Sequence, residues 1–195
     1  MKTTAGRLVL PLALLLVPSM SVDAQYDQPP LAALSANEIR EAIAFGVKAK
    51  VPPGYDVKMK PGWGLPGEVW CGILTTPFTR VANEAYSAKR AYGVLTQADV
   101  KPEWLTPEFE IFAVGNPRQR ADRVSAIVIL QGGQVLKPTR FEPKSATYSN
   151  TFGRETEGTE ATATFPLSVL VKDGEIRIVY STWECRAPFR GGKIR

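Results

Sequence analysis

Apolar residues recur at helical spacing in two segments of the first half of the chain. In the first segment, Ser35 and Glu38 match the S-x-x-E capping box that begins many helices. The apolar residues that follow share one helical face: Ile39, Ala42, Ile43 and Val47. In the second segment, Pro77 follows Thr76 at the first helical position, and Gly93 follows the last apolar position. The pattern therefore predicts two helices, one that ends before residue 52 and one that ends before Gly93.

From about residue 108 the apolar positions recur every second residue, which is the spacing of a β-strand. Residues 124–130 are apolar on both faces and are expected to form a central strand. Gly132 and Gly133 predict a hairpin turn after that strand, and Asp173 and Gly174 predict a second hairpin turn. With an earlier strand-like segment included, the predicted strands cover residues 68–75, 108–114, 124–130, 135–140, 165–171 and 176–180.

Proline, glycine and polar residues mark the segments that are less regular. Residues 52–67 contain four prolines and four glycines and are expected to form a loop. Residues 142–160 are polar, and either a loop or a weakly paired strand near residues 147–152 fits them. Pro166 is expected at a sheet edge or a bulge, because proline cannot donate a hydrogen bond to a neighbouring strand. Together these patterns predict an α+β fold, with two N-terminal helices packed on an antiparallel, sandwich-like C-terminal part.

Residues 1–24 have the pattern of an export signal. Lys2 and Arg7 give a positive start, and residues 8–17 form an apolar run. That run is too short to cross a bilayer, which takes about 20 residues. Small residues at the −3 and −1 positions place the cleavage site after Ala24. We therefore expect a signal peptide, a mature protein that is periplasmic or extracellular, and no transmembrane segment in the mature chain.

The two cysteines, Cys71 and Cys185, are expected to form a disulfide bond, because an exported chain meets an oxidising compartment. Two buried thiols are the alternative. The bond would stabilise the fold by about 4–5 kcal/mol through loop entropy. It would also join the first strand region to the last, which favours a single domain over residues 25–195. That domain is expected to have a helical part at about 34–106, a β-rich part at about 107–186 and a flexible tail at 187–195.

The charged residues do not favour a nucleic-acid partner. The chain has 24 lysines and arginines against 19 acidic residues, a net charge of +5, and the two signs are interspersed. The densest basic group consists of Arg118, Arg120 and Arg123, and Asp122 interrupts it. A nucleic-acid interface needs a clustered basic face with aromatic residues between the charges. We therefore expect no nucleic-acid partner.

The chain contains no histidine, which excludes the Ser-His-Asp triad, the Cys-His pair and histidine-ligated zinc. Two cysteines are too few for a Cys₄ zinc site or an iron–sulfur cluster. Residues 62–67 match G-x-G-x-x-G, but a dinucleotide site needs a strand before this motif and a helix after it. Here a proline-rich loop precedes the motif and a strand follows it. We therefore expect neither a metal nor a cofactor.

Paired carboxylates are the one acid–base chemistry that this composition leaves open. Five glutamates are the candidates: Glu68, Glu108, Glu110, Glu155 and Glu157. Glu108 and Glu110 lie two residues apart on one predicted strand and should share a face. A glycan hydrolase would need two such carboxyl groups across a cleft. This carboxylate-dependent hydrolase is the alternative function.

The four tryptophans provide the remaining candidate contacts. Trp63 and Trp104 lie in predicted loops, where an exposed ring can stack on a sugar or contact a partner protein. Trp70 and Trp183 are expected to fill the core beside the disulfide. Because no catalytic constellation is visible, the sequence favours an exported, non-enzymatic domain. That domain would bind a partner protein or an envelope component, such as a glycan, through its loops.

Overall fold

A computed structural model describes residues 34–59, 68–115, 123–149 and 155–194. The helices in these residues are α1 (Ala36–Lys48) and α2 (Pro77–Arg90). The strands are β1 (Tyr55–Met59), β2 (Val69–Thr75), β3 (Glu108–Val114), β4 (Val124–Gln131), β5 (Gln134–Leu136), β6 (Arg140–Ser149), β7 (Glu155–Pro166), β8 (Gly174–Tyr180) and β9 (Glu184–Phe189). Short 3₁₀ segments cover Gln97–Asp99, Pro102–Leu105 and Leu167–Val171. The expected signal peptide, Trp63 and the motif at residues 62–67 lie outside the described residues.

The strands form two antiparallel sheets, so the α+β class is confirmed. The first sheet has the order β1-β2-β3-β7-β6, and the second has the order β5-β4-β8-β9. Alternate residues of each sheet face a shared apolar core. Its largest fully buried side chains include Phe109, Ile111 and Phe165 from the first sheet and Ile127, Ile129 and Ile178 from the second. The rings of Phe109 and Phe165 stack at the centre of the first sheet, 5.4 Å apart.

The two sheets are covalently joined, as the sequence predicts. Cys71 on β2 and Cys185 on β9 form a disulfide bond, and both residues are buried. The Tyr180 hydroxyl of the second sheet also donates a hydrogen bond to the carbonyl of Cys71, at 3.1 Å. Trp183 stacks on the Tyr180 ring, with 4.3 Å between centroids.

The two helices pack chiefly against each other and form a second, smaller apolar cluster. Its buried members are Ile39, Ala42, Phe78, Val81 and Ala82. The predicted capping box of α1 is present, with Ser35 and Glu38 bonded reciprocally. Arg80 of α2 ties the helices to the first sheet, because its guanidinium donates to the Trp104 carbonyl and lies 3.7 Å from the Glu110 carboxylate.

Part of the segment predicted as a loop is a strand, since β1 lies within residues 52–67. Val57 of β1 is buried in the core, and the neighbouring Asp56 and Lys58 are exposed. The strand has only five residues and follows Pro53 and Gly54 directly. The helical part of the chain therefore contributes two strands to the first sheet.

The predicted strand at residues 165–171 is wrong beyond Pro166, and the predicted hairpin through Asp173 and Gly174 is also wrong. β7 ends at Pro166, and a 3₁₀ segment then carries the chain from the first sheet to β8 of the second. Ser168, Val169 and Leu170 are buried consecutively, which is not the alternation of a strand. Pro166 lies at the end of an interior strand, since β3 and β6 flank β7.

Within the polar segment at residues 142–160, residues 142–149 belong to β6 and residues 155–160 belong to β7, and the two strands pair antiparallel. The turn through Gly132 and Gly133 also forms, and both glycines have positive φ. The last strand extends to Phe189, so residues 187–189 belong to the sheet and not to a tail. Beyond it, the Gly191 amide donates to the Asp173 carboxylate at 2.7 Å.

Trp70 does not fill the core. The pairing of β1 with β2 shifts by one residue, so that Val57 lies opposite Gly72 and Lys58 lies opposite Trp70. Cys71 is the extra residue of this bulge and points into the core, where it is bonded to Cys185. Trp70 consequently faces outwards, and 47% of its surface is exposed.

Candidate binding groove between the two sheets

An open groove of about 590 Å³ lies between the two sheets at one end of the molecule. One wall is formed by residues 123–125 at the start of β4. The other wall is the β6–β7 hairpin, at residues 143–147 and 157–159. Its size falls within the range of small-ligand and peptide sites, about 300–1,000 Å³.

The groove meets β4 at its first residues, Val124 and Ser125. On one side β4 pairs with β8. On the other side β5 pairs only with residues 129–131 of β4, so the described residues place no strand beside residues 124–128 on that side. β4 also has a bulge here, because Val124 pairs with Tyr180 and Ala126 pairs with Val179. Ser125 is the extra residue, and its hydroxyl donates to the Val179 carbonyl at 2.9 Å. Bulges are frequent beside functional sites, where they change the direction of a strand.

The face of the β6–β7 hairpin that continues the core becomes polar at the groove. Phe141 pairs with Ala163 where the hairpin covers the core. Further along the same face, Ser145 pairs with Thr159, and Thr147 pairs with Glu157. On this face of β6 and β7, the groove is therefore lined by short hydroxyl side chains and one carboxylate, that of Glu157.

Each wall carries one or more exposed charged residues. Arg123 lies beside β4, Lys144 on β6 and Glu157 on β7. Lys144 and Ser145 are adjacent on a strand, so their side chains point to opposite faces. Lys144 accordingly lies opposite Glu160 in the register, and Ser145 opposite Thr159. This pair of neighbours does not form a serine–lysine nucleophile.

The structure distributes the five candidate carboxylates over several surfaces. Glu108 and Glu110 share the outward face of β3, as their spacing predicts, and Glu110 lies within 4 Å of Arg80 and Arg140. Glu68 is exposed before β2, and Glu155 is exposed at the start of β7. Among the described residues that line the groove, Glu157 is the only one of the five.

Trp104 lies away from the groove. It is partly buried against the helical cluster, and the Lys101 ammonium lies 5.6 Å from the centre of its ring. Sequence reasoning missed the residues of the groove, because they become neighbours only through the pairing of β6 with β7 and the opposition of the two sheets. The one available signal was the change from apolar to hydroxyl residues along residues 141–147.

The fold and the groove define an α+β domain of two disulfide-linked antiparallel sheets, with a polar groove between them. Comparison of the chain with protein-family models, curated proteins and solved structures found no match. Within the described part of the chain, the helices are too short and too polar to span a bilayer. The described residues also place no group of three or more acidic or cysteine side chains where it could hold a metal ion.

Proposed function

We propose that the protein is an exported binding domain that holds an extended segment of a partner polypeptide in the groove. The edge of β4 at residues 124–128, beside which the described residues place no strand other than β8, is the observation that carries this proposal. A strand with an open edge presents backbone N–H and C=O groups that can pair with another chain. On the facing wall, the side chains of Ser145, Thr147 and Thr159 are short.

A polypeptide suits the groove better than a sugar does. Sugar sites usually contain an aromatic ring on which a pyranose can stack, and the described lining residues include none. The lining also offers one carboxylate, Glu157, where a glycan hydrolase needs two. These features favour peptide binding over the alternative hydrolase.

The proposal includes export, with cleavage after Ala24. The disulfide between Cys71 and Cys185 supports an oxidising compartment. N-terminal sequencing of the protein recovered from the producing cells should give Gln25 as the first residue. An uncleaved chain confined to the cytoplasm would contradict this part of the proposal.

Peptide selection tests the groove directly. Extended peptides selected from a displayed library on the mature protein should bind at least tenfold more weakly to Thr147→Trp, which fills the groove. The matched control is Val135→Trp, at an exposed position of β5 outside the groove. Binding should also slow amide exchange at residues 124–128, because these groups would become paired.

Two results would overturn the groove as the binding site. In the first, Thr147→Trp binds the selected peptides as the unchanged protein does. In the second, Glu157→Gln abolishes turnover of a glycan substrate by the mature protein, which would establish the hydrolase instead.

A further inference from the structure

Trp70 is a large aromatic side chain held in a fixed position on the outer surface of the first sheet. The exposed fraction of the residue is 47%. Its indole N–H donates to the Asp56 carboxylate at 3.2 Å, and this bond joins β2 to β1. Since the one polar group of the ring is already paired, the ring offers a ligand only its apolar surface.

Three charged side chains form a connected group beside this ring: Asp56, Lys58 and Glu68. Lys58 is directly opposite Trp70 in the register. Its ammonium lies 3.0 Å from the Asp56 carboxylate and 3.9 Å from the Glu68 carboxylate. The hydrogen bond to Asp56, with the charge of the same group, raises the pKa of Lys58, so the ammonium remains charged at neutral pH.

This combination suits one ligand chemistry in particular. The C–H groups on the face of a β-linked pyranose ring pack against a flat aromatic ring, while the hydroxyl groups around its rim need acceptors and donors. Carboxylates accept hydrogen bonds from hydroxyls, and an ammonium donates to them. We propose that Trp70, Asp56, Lys58 and Glu68 form a binding site for the pyranose rings of a neutral, β-linked glycan.

The charges around the ring define the kind of glycan. Two carboxylates face one ammonium, so the site has an excess of negative charge and repels polyanionic polysaccharides. Neutral hexose or N-acetylhexosamine chains carry no such charge. The site lies on the outward face of the first sheet, whereas the groove lies between the sheets beside β6. The inference therefore does not depend on the groove or on its peptide ligand.

Calorimetry with two oligosaccharides tests the site in the mature, disulfide-bonded protein. The probes are a β-1,4-linked N-acetylglucosamine tetramer and a β-1,4-linked glucose tetramer, and pelleting with insoluble chitin tests a neutral natural polymer of the first type. At least one tetramer should bind, and Trp70→Ala should weaken that binding tenfold or more. Trp70→Phe keeps an aromatic ring and should retain affinity within about threefold.

Tyr92→Ala is the matched control, because Tyr92 is a fully exposed aromatic residue elsewhere on the surface. It should leave glycan binding unchanged, and circular dichroism should show that Trp70→Ala remains folded. If the unchanged protein binds neither tetramer and does not pellet with chitin, the site is overturned. An equal loss in Tyr92→Ala would overturn it too, since stacking would then be non-specific. Peptide binding in the groove should persist in Trp70→Ala, which keeps the two sites distinguishable.

Discussion

The side-chain amide of Gln131 lies where three backbone carbonyl groups converge. Its Nε2 donates to the carbonyls of Val169 and Lys172 at 3.0 Å, and that of Asp173 lies at 3.4 Å. We predict that Gln131→Glu lowers the free energy of unfolding by about 2–3 kcal/mol, because a carboxylate would face three acceptors without a proton to donate. Urea denaturation measures this change.

Gln134 provides the control for that substitution, since it lies across the same hairpin turn and is exposed. Gln134→Glu should change stability by less than about 0.5 kcal/mol, as expected for an exposed surface position. If Gln131→Glu and Gln134→Glu lower the free energy of unfolding equally, the hydrogen bonds of Gln131 do not stabilise the segment that connects β7 to β8.

Tyr92 has a φ of 59°, which is the left-handed region that glycine favours at the end of a helix. The sequence places a glycine at position 93, one residue after the position that needs it. We predict that Tyr92→Gly raises the free energy of unfolding by about 0.5–1 kcal/mol, because relief of the backbone strain exceeds the added entropy of the unfolded chain. Ala91→Gly, at a negative φ, should instead lower stability in the same thermal denaturation.

Helices α1 and α2 meet where Gly46 lies against Ala82. A Cβ added to Gly46 would lie 1.9 Å from the Ala82 carbonyl oxygen, which is a backbone atom that cannot rotate away. Helix propensity alone favours Gly46→Ala by about 1 kcal/mol. Overpacking of this kind usually costs about 1–3 kcal/mol, occasionally more, so we predict net destabilisation by about 1–2 kcal/mol in chemical denaturation.

Gly93→Ala is the matched control for the helix contact. The nearest neighbour of the added Cβ atom would be the Ala88 carbonyl oxygen at 3.4 Å, which is a tolerable contact. Its free energy of unfolding should stay within about 0.5 kcal/mol of the original. Stabilisation by Gly46→Ala would mean that the helices separate easily and that their contact contributes little.

Local signals in the sequence predict those elements whose structure depends on near neighbours. The capping box of Ser35 and Glu38, Pro77 at the start of α2 and the glycine pair after β4 each satisfy backbone groups within a few residues. Elements that depend on distant partners were predicted less well. β6 looks polar because part of it lines a groove, and the bulge at Cys71 exists only in its pairing with β1.

The candidate site depends even more on distant partners than the elements do. One wall of the groove precedes β5 in the sequence and the other follows it. The edge of β4 beside the groove is left without a β5 partner because β5 has only three residues. The sequence pattern places the exposed aromatic rings at Trp63 and Trp104 and assigns Trp70 to the core, whereas Trp104 is partly buried and Trp70 is exposed. One extra residue in β2 reverses which side chains face the core, and period-two reasoning cannot detect it.

At the scale of the whole molecule, the Cys71–Cys185 bond joins residues that are 114 positions apart and belong to different sheets. Its loss frees a long loop in the unfolded chain, which corresponds to about 4–5 kcal/mol. We predict that the double substitution Cys71→Ala and Cys185→Ala lowers the free energy of unfolding by this amount. If Cys71 and Cys185 belonged to two domains that fold separately, the double substitution would lower the free energy of unfolding of each domain by less than this amount.

The same variant tests whether residues 34–194 fold as one cooperative domain. The helices have their own apolar cluster, yet Arg80 links α2 to Glu110 and to the segment before β3. If this linkage makes one unit, far-ultraviolet circular dichroism of the helices and the fluorescence of Trp183 should report the same denaturation midpoint, with Trp63, Trp70 and Trp104 replaced by phenylalanine so that Trp183 alone emits. Both midpoints should fall together in the variant. A helical signal that keeps its midpoint while that of Trp183 falls would show that the helices and the disulfide-linked sheets unfold independently.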